Sequence, residues 1–114
     1  MNLLGAAQIR ALAEKLDLKP TKKLGQNFVI DANICRKIVK LAQVSESDIA
    51  LEIGPGLGSL TLALLEQTKQ VVAVEIDNRL ANQLPITFTE NGFSSEKLIV
   101  INEDAMKLTH LDVK

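Results

Sequence analysis

The stretch "LEIGPGLGSLTLALL", residues 51–65, constrains the fold of this chain more than any other part of the sequence. Gly54, Gly56 and Gly58 stand between a short apolar run and a second apolar run with helical spacing. A strand that turns sharply into a helix needs glycine where the backbone takes positive φ angles. Bare backbone and a helix N-terminus also favour a bound ligand. The stretch predicts a strand, a turn and a helix with a ligand at the turn, although such glycines also occur in purely structural turns.

The flanking sequence predicts an α/β fold. Three apolar, Val/Ile-rich runs predict strands over 49–53, 70–76 and 98–102. Apolar residues at helical spacing predict helices over 3–16, 31–44, 59–67 and 78–84. The last of these helices is predicted to end before Pro85. In the second helix Asp31 is the predicted N-cap, and the apolar side chains share one face: Ile34, Ile38, Leu41 and Ala42. The order of elements indicates a parallel sheet with helices on both faces. Residues 48–114 form the predicted first half of a Rossmann-like domain, and residues 1–47 form a helical, basic extension before it.

Composition narrows the functional classes. Hydrophobic residues make up 46% of 114 residues, which is enough for a buried core. No apolar run is long enough to cross a bilayer. The single cysteine, Cys35, excludes an internal disulfide and favours a reducing, cytoplasmic setting. With one cysteine and one histidine, His110, we expect no metal site built from those ligands.

Acidic side chains follow the second and third predicted strands. Glu75 lies near the end of the second strand, where a carboxylate can accept hydrogen bonds from both ribose hydroxyls of an adenosyl group. Asp104 follows the third strand and could accept a hydrogen bond from an adenine amino group, or simply cap a helical turn. NAD-binding folds use the same ribose contact. However, the spacing G-x-G-x-G differs from the G-x-G-x-x-G of dinucleotide sites.

Charge is distributed unevenly along the chain. Residues 1–47 carry eight Lys or Arg against four acids, and residues 48–114 carry five against ten. A basic first part can follow the phosphates of a nucleic acid, although solvated helix faces often have the same composition. The candidate phosphate contacts are Lys19, Lys22, Lys23, Arg36, Lys37 and Lys40.

The segments "KKLGQNFVID", "LEIGPGLGSLT", "VVAVEID" and "NEDAMKL", in this order, resemble the ribosomal RNA adenine N6,N6-dimethyltransferases. These enzymes use S-adenosylmethionine to dimethylate two adjacent adenines in small-subunit ribosomal RNA, and the resemblance covers about Leu24 to Leu108. It implies that the cofactor is S-adenosylmethionine and that the immature small ribosomal subunit is the partner. The cofactor-binding residues that it implies are Gln26, Asn27, Val29, Gly54, Gly56, Glu75 and Asp104.

The sequence departs from this family in two ways. Val29 stands where the family usually has leucine, a conservative change. The family's chains are also well over twice as long, and their target adenine is gripped by an Asn-Leu-Pro-Tyr-type element after a fourth strand. We therefore expect the catalytic residues to lie beyond Lys114 and the 114-residue chain to be inactive alone. Phe28 could border the base pocket or belong to the core.

Other functions stay open from sequence alone. The chain also resembles the large-subunit RNA methylases that give macrolide resistance, and some relatives are non-catalytic RNA-binding or assembly factors. An NAD-dependent oxidoreductase is disfavoured by the glycine spacing and by the Q-N-F segment. We expect the full-length enzyme to be a monomer. Without a fourth strand, the edge at Ile49 to Ile53 is expected to pair with a second copy or to be loosely ordered.

Overall fold

The computed structural model describes residues 2–18 and 31–108, so Gln26, Asn27, Phe28, Val29, Lys19, Lys22, Lys23 and His110 lie outside the described residues. These described ranges contain four helices and three strands: α1 Ala6–Lys15, α2 Ala32–Leu41, β1 Ile49–Ile53, α3 Ser59–Gln67, β2 Gln70–Val74, α4 Asn78–Glu90 and β3 Leu98–Ile101. Short 3-10 turns span Ser95–Lys97 and Ala105–Lys107.

The three strands form one parallel sheet in the order β1-β2-β3. Ile53 pairs with Val74, and Val74 pairs with Ile101, so the carboxyl ends of all three strands lie side by side. The parallel sheet and its surrounding helices confirm the predicted fold class. β2 and β3 end slightly earlier than predicted, which places Glu75 and Asn102 just beyond the strands rather than within them.

The main core joins the sheet to three helices. Val71 of β2 is fully buried among apolar side chains of α1, α3 and α4, and Ala50 and Leu98 on the neighbouring strands contact the same cluster. The buried members of this cluster are Leu4, Ile9, Leu12, Leu57, Leu62, Leu65, Val71, Leu80, Phe88 and Phe93. Since α1 contributes to this core, residues on both sides of position 47 share it. The division into 1–47 and 48–114 stays a prediction.

α2 begins as the sequence predicts but buries a different face. Asp31 is the N-cap, and its side chain accepts a hydrogen bond from the Asn33 backbone N–H at 2.7 Å. Cys35 and Val39 are buried against Ala63 of α3. The predicted apolar face is instead largely exposed, with Ile34 at 54%, Ile38 at 45% and Leu41 at 77%. Cys35 and Val39 are four residues apart and therefore lie on one face of the helix. This face, which has fewer apolar residues than the predicted one, contacts α3.

α4 is longer than predicted, because it continues through Pro85 to Glu90. The prediction that Pro85 ends the helix is therefore wrong. Proline inside a helix removes one backbone hydrogen bond and costs about 3 kcal/mol. Phe88, one turn further on, is only 1% exposed, and its ring stacks on Phe93 with centroids 5.1 Å apart. Burial of a side chain of this size is worth about 1.5–3 kcal/mol, which offsets the cost of the proline.

Within residues 2–18 and 31–108, no helix has the length and apolar character needed to span a bilayer.

Candidate functional site

The turn after β1 takes the conformation for which glycine is best suited. Gly54, Gly56 and Gly58 have φ angles of +69°, +61° and +99°. This left-handed conformation is unfavourable by roughly 1–2 kcal/mol for residues that have a Cβ. The turn is closed by two backbone hydrogen bonds, from Gly54 N–H to the Val74 carbonyl at 2.8 Å and from Gly58 N–H to the Pro55 carbonyl at 3.0 Å. The predicted strand, turn and helix are therefore confirmed.

The three glycines face different surroundings. A Cβ on Gly54 or Gly56 would meet no atom within 4 Å, so open space lies beside this part of the backbone. A Cβ on Gly58 would approach Leu84 Cδ1 to 2.7 Å. Gly58 thus allows α4 to lie close to the turn. The open side of the turn is where a ligand could contact the backbone.

α3 begins directly at this turn. Gly58 is its N-cap, and because it has no side chain, no side-chain cap is present. The first N–H groups of a helix have no intrahelical partner, and the helix dipole adds partial positive charge there. The turn and the start of α3 together favour a ligand with negative or strongly accepting groups.

Glu75 lies against the glycine turn. Its Oε1 accepts a hydrogen bond from the Gly56 N–H at 3.1 Å, and its Oε2 accepts one from the Asp77 N–H at 3.1 Å. The residue is only 6% exposed. A carboxylate offers about four acceptor positions, and these two bonds use one on each oxygen. Glu75 therefore holds a defined orientation and keeps acceptor capacity for a ligand hydroxyl.

Asp104 lies just beyond the end of β3 and caps the helical turn that follows it. Its Oδ1 accepts a hydrogen bond from the Met106 N–H at 2.9 Å, as in the simpler of the two interpretations from sequence. Nearby, Asn102 Nδ2 donates to the Glu75 carbonyl at 2.9 Å and ties the ends of β2 and β3 together. The structure thus places Asp104 at the same sheet edge as Glu75, and its Oδ2 has no hydrogen bond to the described residues.

Glu52 is a second carboxylate near the turn, and sequence reasoning missed it. It lies in β1, and its Oε1 accepts a hydrogen bond from the Thr61 hydroxyl of α3. Burial raises the pKa of Glu52 above its usual range, the Thr61 hydrogen bond opposes this, and the charge of Glu75 raises the pKa further. The sequence did contain a signal for this contact, because a glutamate within an apolar strand needs a hydrogen-bond partner when it is buried. Glu52 joins the end of β1 to the first turn of α3.

Two apolar side chains stand exposed beside these polar groups. Ile76 follows Glu75 and is 66% exposed, and Met106 follows Asp104 by two residues and is 91% exposed. Large apolar side chains that remain open next to convergent polar groups are typical of a ligand site.

Three of the predicted RNA-contacting residues lie within α2. Arg36 is not free, because its Nε and Nη2 each lie 3.2 Å from a carboxylate oxygen of Glu66 on α3. Lys37 and Lys40 are exposed and have no hydrogen bond to the described residues. The pair Arg36–Glu66 lines a groove between α2 and α3, and Lys40 also lines this groove.

The described ranges contain no group of three or more His, Cys, Asp or Glu that could hold a metal ion. Cys35 is fully buried, and its pKa is raised by burial first and then by the charges of Glu52 and Asp31. A thiol held in this protonated form is a poor nucleophile.

Solved structures share this fold. A dimethyladenosine transferase from Plasmodium falciparum aligns with a TM-score of 0.64 and 34% identity, covering 72% of this chain and 29% of that one. The 23S rRNA methyltransferase ErmE aligns with a TM-score of 0.62 and 32% identity, covering 72% of this chain and 32% of that one. An O-methyltransferase from Streptomyces achromogenes, TomG, aligns with a TM-score of 0.68 over 88% of this chain at 16% identity, which shows the fold alone. The fold and the site together define a Rossmann-like methyltransferase domain.

The sequence comparison is more specific. The sequence model of the family described as ribosomal RNA adenine dimethylase matches residues 18–113, and the chain belongs to this family. It is 59% identical to the ribosomal RNA small subunit methyltransferase A of Corynebacterium jeikeium over 98% of this chain. It is 53% identical to that of Leifsonia xyli over 97% of this chain. The chain spans 35% and 40% of the length of these two relatives.

Proposed function

We propose that this chain is the cofactor-binding part of an S-adenosylmethionine-dependent RNA methyltransferase. The reaction is dimethylation of N6 of two adjacent adenines in small-subunit ribosomal RNA during ribosome biogenesis, in the cytoplasm. One observation carries the proposal: the glycine turn, Glu75 and Asp104 lie at the same carboxyl edge of the sheet, and Glu75 is hydrogen-bonded to the turn itself. Family membership supports the reaction and the RNA substrate.

The residues at this edge fit an adenosyl cofactor. The open space beside Gly54 and Gly56 lets a ligand approach the backbone. Glu75 keeps acceptor positions for ribose hydroxyls, and Asp104 Oδ2, which has no hydrogen bond within the described ranges, can accept from the adenine amino group. Exposed Ile76 and Met106 supply apolar surface for the faces of the purine. Gln26, Asn27 and Val29 are proposed as further contacts on the strength of the family resemblance.

The bound cofactor supplies an electrophilic methyl group on a sulfonium. This chain's residues bind and orient: Glu75 fixes the ribose, and the glycine turn fixes the backbone against which the ligand lies. The adenine amino group is a weak nucleophile, since its lone pair is delocalised into the ring. Transfer therefore requires a flipped base held in line with the methyl group. We place the residues that hold the base in the part of the relatives that this chain does not span.

RNA phosphates are proposed to contact the basic extension. Lys37 and Lys40 are the best candidates on α2, because Arg36 already pairs with Glu66. Lys19, Lys22 and Lys23 are retained as candidates from the sequence. Contacts of this kind add affinity without sequence specificity.

A chimera tests the proposed reaction. Residues 1–114 would replace the matching segment of the Corynebacterium jeikeium relative, and radiolabelled methyl transfer would be measured on immature small ribosomal subunits. We expect the chimera to transfer methyl groups to adenine N6, a Glu75→Ala chimera to lose most of this activity, and residues 1–114 alone to transfer none. A folded chimera without activity would contradict the proposal, as would activity that survives the loss of Glu75.

A second candidate is an enzyme that methylates large-subunit RNA. The likeness to the 23S rRNA methyltransferase ErmE at 32% identity is the observation that favours it. The same chimera, supplied with large-subunit RNA in a parallel assay, distinguishes the two. Methylation of large-subunit RNA alone would favour the second candidate.

A further inference from the structure

Arg79 connects the end of α1 to the carboxylate that faces the glycine turn. Its Nη1 donates to the Leu16 carbonyl at 2.9 Å, and its Nη2 lies 3.4 Å from Asp77 Oδ2. Asp77 in turn donates its backbone N–H to Glu75 Oε2, and Glu75 Oε1 accepts from Gly56. A continuous series of hydrogen bonds therefore runs from the last turn of α1 to the glycine turn.

Asp77 is the central member of this series. Its Oδ1 accepts from the backbone N–H groups of Arg79 at 2.8 Å and Leu80 at 3.3 Å, so it caps α4. Burial by itself would raise the pKa of Asp77, but the hydrogen bonds from Arg79 and Leu80 outweigh it and lower the pKa. The carboxylate is thus kept charged, and the cap fixes the short connection between β2 and α4 in which Glu75 stands.

The other end of this series of hydrogen bonds, at Leu16, is held in place by the packing of α1. Leu16 is the C-cap of α1, where helix carbonyl groups lack partners and attract a cation. α1 itself is held in the main core by Ile9 and Leu12, which are 2% and 8% exposed. A second bond, from Lys15 Nζ to Gln83 Oε1 at 3.1 Å, joins the same turn of α1 to α4.

We propose that Arg79 is a positioning residue for Glu75. By holding Asp77 and the end of α1 together, it sets the direction in which Glu75 presents its remaining lone pairs to a ribose. This inference rests on the proposed function, because it assumes an adenosyl ligand at Glu75. Arg79 itself is not proposed to contact that ligand. Its side chain is half exposed, and an ordinary surface arginine in this position would have no effect on the carboxylate.

A double-mutant cycle tests this role with S-adenosylhomocysteine as the probe. Arg79→Met is expected to raise the Kd about threefold to tenfold, in the range of couplings between residues of one hydrogen-bond network. In a Glu75→Gln background, the same substitution is expected to change the Kd by less than about twofold. Arg79→Lys is expected to restore part of the affinity, since one ammonium cannot replace the two-sided guanidinium. An equal loss in both backgrounds would show a general structural effect and overturn the proposal.

A measurement without ligand separates this inference from the proposed function. Hydrogen exchange at the amides of Gly56 and Asp77, which both donate to Glu75, is expected to accelerate in Arg79→Met and to stay unchanged in Arg10→Met. Arg10 is the matched control, because it is exposed on α1 and makes no hydrogen bond to the described residues. Arg79→Lys is expected to accelerate this exchange less than Arg79→Met does. Unchanged exchange in a folded Arg79→Met chain would overturn the positioning role. A wild-type chain with protected amides that binds no S-adenosylhomocysteine would overturn the proposed function instead.

Discussion

Glu75 Oε1 accepts a hydrogen bond from the Gly56 N–H at 3.1 Å, although the two residues are 19 positions apart in the sequence. The bond makes the turn after β1 and the end of β2 one structural unit. A ligand that lies along the glycine backbone therefore meets the carboxylate at the same time. This arrangement joins the glycine turn, a feature of many folds, to a carboxylate that we propose as the acceptor for a sugar hydroxyl.

Replacing Glu75 tests that link directly. In Glu75→Ala we expect S-adenosylhomocysteine to bind more weakly by about 1–3 kcal/mol, the scale for losing hydrogen bonds to a charged group. Isothermal titration calorimetry on the wild-type and variant chains would measure the difference. Glu90→Ala is the control, since Glu90 is an exposed carboxylate at the end of α4. Equal affinities of wild type and Glu75→Ala would exclude Glu75 as the ribose ligand.

Glu52 predicts a pH dependence of stability. Its pKa in the folded chain is raised above the ordinary value of 4.5, with burial as the largest cause. The folded state therefore binds the proton more tightly than the unfolded state. The free energy of unfolding is expected to fall as the pH rises from about 4.5 through the folded pKa, and to level off above it.

Chemical denaturation across this pH range would measure how the free energy of unfolding changes with pH. Glu52→Gln keeps an acceptor for the Thr61 hydroxyl and cannot ionise, so we expect the fall to be absent. Glu90→Gln, with the same change at an exposed position, is expected to keep it. A Glu52→Gln profile that parallels wild type throughout would contradict the assignment.

The basic extension predicts a salt effect on RNA binding. Removal of one phosphate contact is expected to reduce the log–log salt slope by about 0.7–0.9. The double variant Lys37→Ala/Lys40→Ala is expected to lack up to two such contacts. Arg36→Ala is expected to have a smaller effect, because Glu66 already neutralises that guanidinium. Binding of a small-subunit RNA fragment at several salt concentrations, with Lys69→Ala as control, would show this. An unchanged slope in the double variant would mean that these lysines are only solvated.

The edge of the sheet predicts self-association of the 114-residue chain. Among the described residues, β1 pairs with β2 alone, and Ile49, Leu51 and Ile53 are 41%, 53% and 57% exposed. A strand edge with exposed apolar side chains readily pairs with another chain. Light scattering is expected to show dimers or larger species that Leu51→Lys reduces. Met106→Lys, which adds the same charge at another exposed apolar site, is expected not to do so. A wild-type monomer at all concentrations would refute this expectation.

Local signals in the sequence predicted the part of the fold that depends on nearest neighbours. The glycine turn, β1, α3 and the Asp31 cap lie where patterns of turn residues, apolar runs and capping side chains place them. The proximity of Glu75 to the turn followed from the parallel order of the strands, because parallel strands bring their carboxyl ends together.

Long-range packing decided the features that the sequence did not reveal. α4 continues past Pro85 because Phe88 is buried against Phe93, a contact that the local proline rule does not include. α2 buries Cys35 and Val39 rather than its wider apolar face because Ala63 of α3 lies opposite them. The bonds from Arg79 and Thr61 also depend on how helices meet, and periodicity carries no information on such pairs.

We propose that this site binds an adenosyl-sulfur cofactor rather than a dinucleotide. Competitive titration calorimetry with S-adenosylhomocysteine and NAD, on the 114-residue chain and on the chimera with the Corynebacterium jeikeium relative, tests it most directly. Both proteins are expected to bind S-adenosylhomocysteine more tightly than NAD, and the chimera is expected to bind it more tightly than the chain alone. Tighter binding of NAD by either protein would show that the site is a dinucleotide site.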